Sequence, residues 1–250
     1  MQRGASNIQQ VLLSGHEGRC LKILKDIQTI AAASKIAYDA GFLQFENYRT
    51  FVAHPVSLES VANRVNGSGG HQKYTYINDF ALDVRRIFGN FIRYNCYADP
   101  ATTKLRKDVM KVLFKFEQCW FELIKSIDQT SPGMYFVQPV AELKWGLTAF
   151  EAMVQGTDTD KTYLIDDFMH PIQLYITDPK SLKEYKQIVK HPIAIADIMA
   201  KLTEAEYDNI EQMKDDMDRL VNNCSTYWSQ PSKVEMGKGI IQKVMKIQKI

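Results

Sequence analysis

The chain has 250 residues, of which 45% are hydrophobic and 24% charged, and its formal net charge is +2. This balance is ordinary for a globular protein, and the lack of any run of about 18 apolar residues excludes a membrane-spanning helix. The charge is uneven: residues 1–130 hold 17 Lys/Arg and 12 Asp/Glu, and residues 131–250 hold 14 and 17. Neither half has the dense basic patch of a nucleic-acid binder working alone, so the charges are read as solvated helix faces.

Residues 1–6 lack the apolar core of a secretory signal, and a chain that is not secreted is expected. Cys20, Cys96, Cys119 and Cys224 show no CxxC spacing. They are read as free thiols in a reducing compartment, with no zinc site.

In chain order, Leu21, Ile23, Leu24, Ile27, Ile30 and Ala31 recur at helical spacing and predict a helix over 17–33. From Ser34 to His54 the pattern breaks into a long aromatic loop with Tyr38, Phe42, Phe45, Tyr48 and Phe51. A loop of about 20 residues is usually functional or disordered, and the aromatics argue against disorder. Ser57 is placed to cap a short helix with Leu58, Val61, Ala62 and Val65 inward. Residues 66–70 form a Gly-rich turn. Ile77, Phe80, Ala81, Val84, Ile87, Phe88, Phe91 and Tyr94 then form one apolar stripe of a long helix. A further helix begins near Thr102 or Thr103, with Leu105, Val109, Val112, Leu113, Phe116, Trp120 and Leu123 on its face.

Residues 128–140, with Pro132, Gly133 and Pro139, read as a linker. The order then repeats. Leu143, Leu147, Phe150 and Val154 give a helix, and residues 156–191 a long loop. Ile195, Ile198, Met199 and Leu202 give a short helix. Tyr207, Ile210, Met213, Met217, Leu220, Val221, Cys224 and Tyr227 give a long one, and residues 234–250 the last. No segment alternates with period two for long enough to predict a strand. The expectation is all-α: two helical bundles, each with one oversized loop. They are assigned to residues 17–127 and 141–250, with residues 1–16 as an extension.

The duplication is regular. Tyr48 and Tyr185 are 137 residues apart, as are Pro55 and Pro192; Asp83 and Asp216, Asn90 and Asn223, and Tyr94 and Tyr227 are 133 apart. The difference of four is the Gly-rich turn, longer in the first copy. Two features carry a resemblance: the Tyr-x(6)-Pro step before each short helix, and the closing Asn90-x(3)-Tyr94-Asn95 and Asn223-x(3)-Tyr227-Trp228. With the aspartates inside each long helix, they make the chain resemble a divergent tandem of bromodomains from about residue 17 onward. The resemblance implies two left-handed four-helix bundles binding N-acetyl-lysine between the long first loop and the loop after the long helix. It further implies that Asn95 anchors the ligand and that Tyr48 holds a bridging water.

Those residues suit that ligand. Acetyl-lysine is neutral and offers a carbonyl, an N–H and a methyl on a long stem, which match a narrow apolar slot with one amide donor. Tyr48 reaches the carbonyl through water. An unmodified lysine would bring in a charge that nothing meets, so acetylation is read as removal of that charge. Tyr94, Leu105, Phe51 and Val52 complete the expected pocket, although Phe51, with Phe42 and Phe45, is also read as loop packing. By residue type alone Asn95 is a helix C-cap; the pattern around it favours the anchor. For Tyr48 the alternative is a core aromatic.

Each copy departs from the family. Residues 33–38 lack the Trp-Pro-Phe shelf, and the flanking apolar position falls on Ala101 or Leu105, with the helix register favouring Leu105. The second copy keeps more of the pocket in Phe168, Ile172, Tyr185, Tyr227 and Val234, but its anchor position is Trp228. An indole has one N–H and about twice the bulk of an amide side chain, so the second pocket is expected to be impaired.

The His-Pro steps at His54, His170 and His191 have no carboxylate or second histidine at i+3 or i+4, so no metal is expected. Asp83 and Asp216 have no nucleophile or base at telling spacing and are read as surface or capping residues. Neither enzyme activity nor a cofactor is expected. The implied partners are acetylated histone tails or other acetylated nuclear proteins and chromatin-complex subunits, without sequence-specific nucleic-acid binding or membrane association. The implied location is the nucleus. The competing expectation is a helical interaction scaffold in which both pockets are vestigial.

Overall fold

The computed structural model describes residues 11–36, 47–96, 100–127, 143, 146–148, 166–169, 171–172, 175–235, 237–238 and 240–241. They are helices and turns, with one isolated antiparallel bridge between Leu12 and Tyr76. The described residues fall into two compact units.

In the first unit, α1 spans Glu17–Gln28 and buries Cys20, Ile23, Leu24 and Ile27. It stops short of the predicted residue 33. The Thr29 hydroxyl donates to the Asp26 carbonyl at 2.6 Å, competing for a last-turn acceptor, and the chain tightens into a 3-10 segment, Ala31–Ile36. The aromatic loop is therefore not structureless throughout. It opens with that segment and closes with a one-turn helix, α2, Tyr48–Phe51. Tyr38, Phe42 and Phe45 lie outside the described residues. Ahead of α1, Leu13 is buried and its N–H donates to the Thr75 carbonyl at 2.9 Å, which ties residues 11–13 to this unit.

Helix α3, Leu58–Asn66, starts where Ser57 places it. The Ser57 hydroxyl accepts from the Ser60 N–H and the Ser60 hydroxyl accepts from the Ser57 N–H, a reciprocal capping box. The helix ends at Gly67 with φ of 67°, a left-handed cap that favours glycine. Ser57→Ala is expected to lower the stability of this unit by about 1 kcal/mol, because a buried N–H loses its acceptor; chemical denaturation measures it.

The central helix α4, Ile77–Tyr94, buries its whole apolar stripe apart from the half-buried Tyr94. Helix α5, Pro100–Ile127, begins a little earlier than predicted, since proline fits a first turn whose N–H has no partner in any case. Phe80 of α4 meets Phe116 and Trp120 of α5 at ring separations of 6.2 and 6.3 Å. Between the same helices lies a fully buried ion pair. Arg85 donates from Nε to Glu117 Oε1 at 2.7 Å and from Nη2 to Oε2 at 2.8 Å.

In the second unit, α6 spans Asp166–Met169, α7 Pro179–Ile188, α8 Ile195–Thr203 and α9 Ile210–Trp228. Helix α7 corrects the expected loop over 156–191. Its signals are local: Asp178 accepts from the Ser181 N–H at 2.7 Å and Pro179 occupies the first turn. Ala194 N–H donates to Asp197 at 2.9 Å, so α8 keeps half of the capping box that starts α3. The linker, Phe150, Val154 and residues 242–250 of the last helix lie outside the described residues. None of the four cysteines forms a disulfide, and burial pushes the Cys20 thiol up to about 12, which leaves it protonated and inert.

Candidate functional site

The asparagine of each long helix fastens that helix to its own His-Pro step. Asn90 Nδ2 donates to the His54 carbonyl at 2.9 Å, and Asn223 Nδ2 to the His191 carbonyl at 2.9 Å. The residue before proline is held extended, so its carbonyl is presented to the helix. This bond sets the tyrosine upstream against the helix end. Tyr48 and Tyr94 meet edge to face at 5.0 Å and 63°, and Tyr185 and Tyr227 at 5.0 Å and 66°. The sequence repeat is thus a repeat of geometry.

The aspartates Asp83 and Asp216 are buried rather than exposed, at 4% and 3%. The surface reading fails because each has three partners. Asp83 accepts from Tyr74 Oη at 2.8 Å and pairs with Arg64 at 2.6 Å and with Arg86. Asp216 accepts from Tyr207 Oη at 2.8 Å and pairs with Lys201 at 2.8 Å and with Arg219. A buried carboxylate is tolerated when paired and hydrogen-bonded in this way. Burial, its largest cause, raises the Tyr74 and Tyr207 pKa values, so both phenols remain donors.

In the first unit the structure brings Tyr48, Phe51, Tyr94 and Asn95 together. Tyr48 is 2% exposed, a core aromatic as well as a candidate pocket residue. Phe51 meets Tyr94 at 5.9 Å and 84°. Val52 is buried and its N–H donates to the Tyr48 carbonyl. Asn95 is the C-cap of α4: its backbone N–H and its Nδ2 both donate to the Phe91 carbonyl at 2.9 Å. The backbone carbonyl of Asn95 accepts from the buried Arg106 at 2.7 Å. Cap and anchor are compatible roles, because a carboxamide nitrogen carries two hydrogens and the cap uses one. Leu105, next to Arg106 on α5, is half-buried, whereas Ala101 is exposed. Arg106 gave no sign in the sequence, since its acceptor is a main-chain oxygen.

In the second unit Tyr185, Val189 and Tyr227 form a small apolar cluster, with Ile172, Ile176, Ile188 and Trp228 packed against it. Trp228 stands edge-on to Tyr227 at 5.3 Å and 77°. Phe168 is buried but not in that cluster, and Val234 is 43% exposed, so the structure does not gather these two with the rest. A tryptophan lacks the amide that caps α4, and α9 runs one residue further, to Trp228, with Ser229 as its cap. Two residues that the sequence did not single out pair with each other beside Tyr227. The Lys233 ammonium lies 5.1 Å from its ring centroid and pairs with Glu184 at 2.6 Å.

The chain folds back closely here. A Cβ on Gly237 would lie 2.5 Å from Trp228 Cβ and 2.9 Å from its carbonyl oxygen. Gly237→Ala is therefore expected to destabilise the second unit by about 1–3 kcal/mol through overpacking and to shift the tryptophan fluorescence; thermal melts and emission spectra check both.

The bromodomain family model matches residues 20–107 and 150–236. A 50-residue stretch is 36% identical to a bromodomain-containing protein homolog of Drosophila melanogaster, covering 20% of this chain and 4% of that protein. Bromodomains are acetyl-lysine reader modules of chromatin proteins, and the fold is a binding fold rather than a catalytic one. With repeated motifs, repeated geometry and two matches that together span more than half its length, the chain belongs to the bromodomain family and carries two such domains in tandem.

Proposed function

We propose that this chain reads N-acetyl-lysine on histone tails or other chromatin proteins in the nucleus, and that it does so through its first bromodomain. The observation that carries the reading is the state of Asn95. Its amide is held in place by the Phe91 carbonyl at 2.9 Å and its backbone carbonyl by Arg106 at 2.7 Å. One amide hydrogen remains to meet an acetyl carbonyl, beside the aromatic group of Tyr48, Phe51 and Tyr94. A donor fixed before the ligand arrives loses little entropy on binding. Tyr48 supports a bridging water, and Leu105 and Val52 supply apolar wall. The second bromodomain has Trp228 where the anchor amide would stand, and we infer that it takes acetyl-lysine poorly or not at all.

Calorimetric titration with matched acetylated and unmodified histone-tail peptides tests this. Heat is expected with the acetylated peptide, at modest affinity because few groups are engaged, and not with its unmodified partner. Equal behaviour of the two peptides would instead favour a helical scaffold in a chromatin complex with both pockets vestigial.

A further inference from the structure

Tyr227 of the second bromodomain has two aromatic rings, a carboxylate and a cation in its neighbourhood. Tyr185 and Trp228 both stand steeply to the Tyr227 ring, at 66° and 77°, with centroids 5.0 and 5.3 Å away. The Lys233 ammonium sits 5.1 Å from the same ring and 2.6 Å from the carboxylate of the exposed Glu184. The face of an aromatic ring carries negative potential and draws cations, most strongly when they are shielded from water. Both phenols stay neutral: burial pushes Tyr185 up to about 12 and raises Tyr227 as well.

Comparison with the first copy shows what changed. The tyrosine pair is the same in both, at 5.0 Å. Two neighbouring positions differ, and both in the same sense. Asn95 becomes Trp228, replacing an amide donor by an aromatic wall. Asn47, which precedes Tyr48, becomes Glu184, which precedes Tyr185, replacing a neutral group by an anion. A neutral acetamide gains little from either change, whereas an ammonium gains from both.

We propose that the pocket of the second bromodomain is a cation cage that takes the ammonium of a trimethylated lysine on a protein chain, with Lys233 as the internal ligand that fills it until displaced. This rests on the reading that the second copy does not take acetyl-lysine, and it is independent of Asn95. Trimethyl-lysine suits the cage better than plain lysine, because its methyl groups contact ring faces and its charge is less strongly hydrated. Glu184, freed from Lys233, stays near the cation.

The experiment uses the full chain and its Lys233→Ala variant, titrated with a peptide carrying one trimethyl-lysine, the same peptide unmodified, and tetramethylammonium chloride. Vacating the cage is expected to tighten trimethyl-lysine binding by about tenfold, with a smaller gain for tetramethylammonium and little for the unmodified peptide. Adding Trp228→Ala is expected to remove the gain, Trp228→Phe to keep part of it, and Glu184→Gln to weaken it several-fold. The proposal is overturned if Lys233→Ala, folded by circular dichroism, binds the trimethylated peptide no better than the unmodified one. It is equally overturned if the gain survives Trp228→Ala. An acetylated peptide titrated into Lys233→Ala with Asn95→Ala separates the two ideas: binding there would sink the reading of the second copy as closed to acetyl-lysine.

Discussion

Asn95→Ala is expected to weaken acetyl-lysine binding roughly 5- to 150-fold, the equivalent of about 1–3 kcal/mol for a ligand carbonyl left buried without its donor. The size follows from the pocket's chemistry. On the proposed reading a single amide makes the direct polar contact, and the Tyr48, Phe51 and Tyr94 rings beside it offer no second amide to take over the bond. The same substitution removes the Nδ2 bond to the Phe91 carbonyl, and a stability loss of about 1 kcal/mol accompanies it. The two effects separate cleanly, since calorimetry at a temperature where the variant is folded reads the first and urea denaturation the second. Undiminished binding would assign Asn95 to the cap alone.

The largest effect on stability is expected at the buried pair of Arg85 and Glu117. Both side chains are fully buried and joined by two bonds of 2.7 and 2.8 Å. Removing one partner, as in Glu117→Ala, takes the carboxylate counterion from a buried guanidinium and is expected to cost about 3–5 kcal/mol. Against a total of about 5–15 kcal/mol for a typical domain, that loss populates the unfolded form of the first unit. Replacing both partners, Arg85→Met with Glu117→Leu, is expected to recover most of the loss, because no charge is left without a counterion. Hydrogen exchange at the amides of α4 and α5 measures both variants within this unit. A loss under about 1 kcal/mol in Glu117→Ala would mean that water reaches Arg85.

Much of this was legible in the sequence because it is periodic or duplicated. The stripe from Ile77 to Tyr94 is long enough to determine a helix, and all of it but Tyr94 is buried. Constant offsets between the copies match Tyr48 to Tyr185 and Tyr94 to Tyr227, and the family resemblance groups the two tyrosines of each copy in one pocket, where the rings meet at 5.0 Å. Helix α7 has no apolar stripe to announce it, although Asp178, Pro179 and Ser181 mark its start, because of its ten residues only Tyr185 is buried. The burial of Asp83 was not legible, since its partners Tyr74 and Arg64 lie 9 and 19 residues away, and only the packing of α3 against α4 brings them in. Lys233 was missed for a related reason. A lysine near a turn is normally solvated, and its counterion Glu184 is 49 residues distant.

The switch from Asn95 to Trp228 therefore alters more than one contact. It lengthens α9 by a residue and removes the cap amide, and it sets an indole beside Tyr227, the ring over which Lys233, paired with Glu184, also lies. We propose that the two copies have diverged in the ligand they take, with one acetyl-lysine site per chain. Isothermal titration of the whole chain with a singly acetylated histone-tail peptide tests it most directly. One site per chain is predicted, lost in Asn95→Ala and retained in Trp228→Ala. Two equivalent sites, or binding that survives Asn95→Ala and disappears in Trp228→Ala, would contradict it.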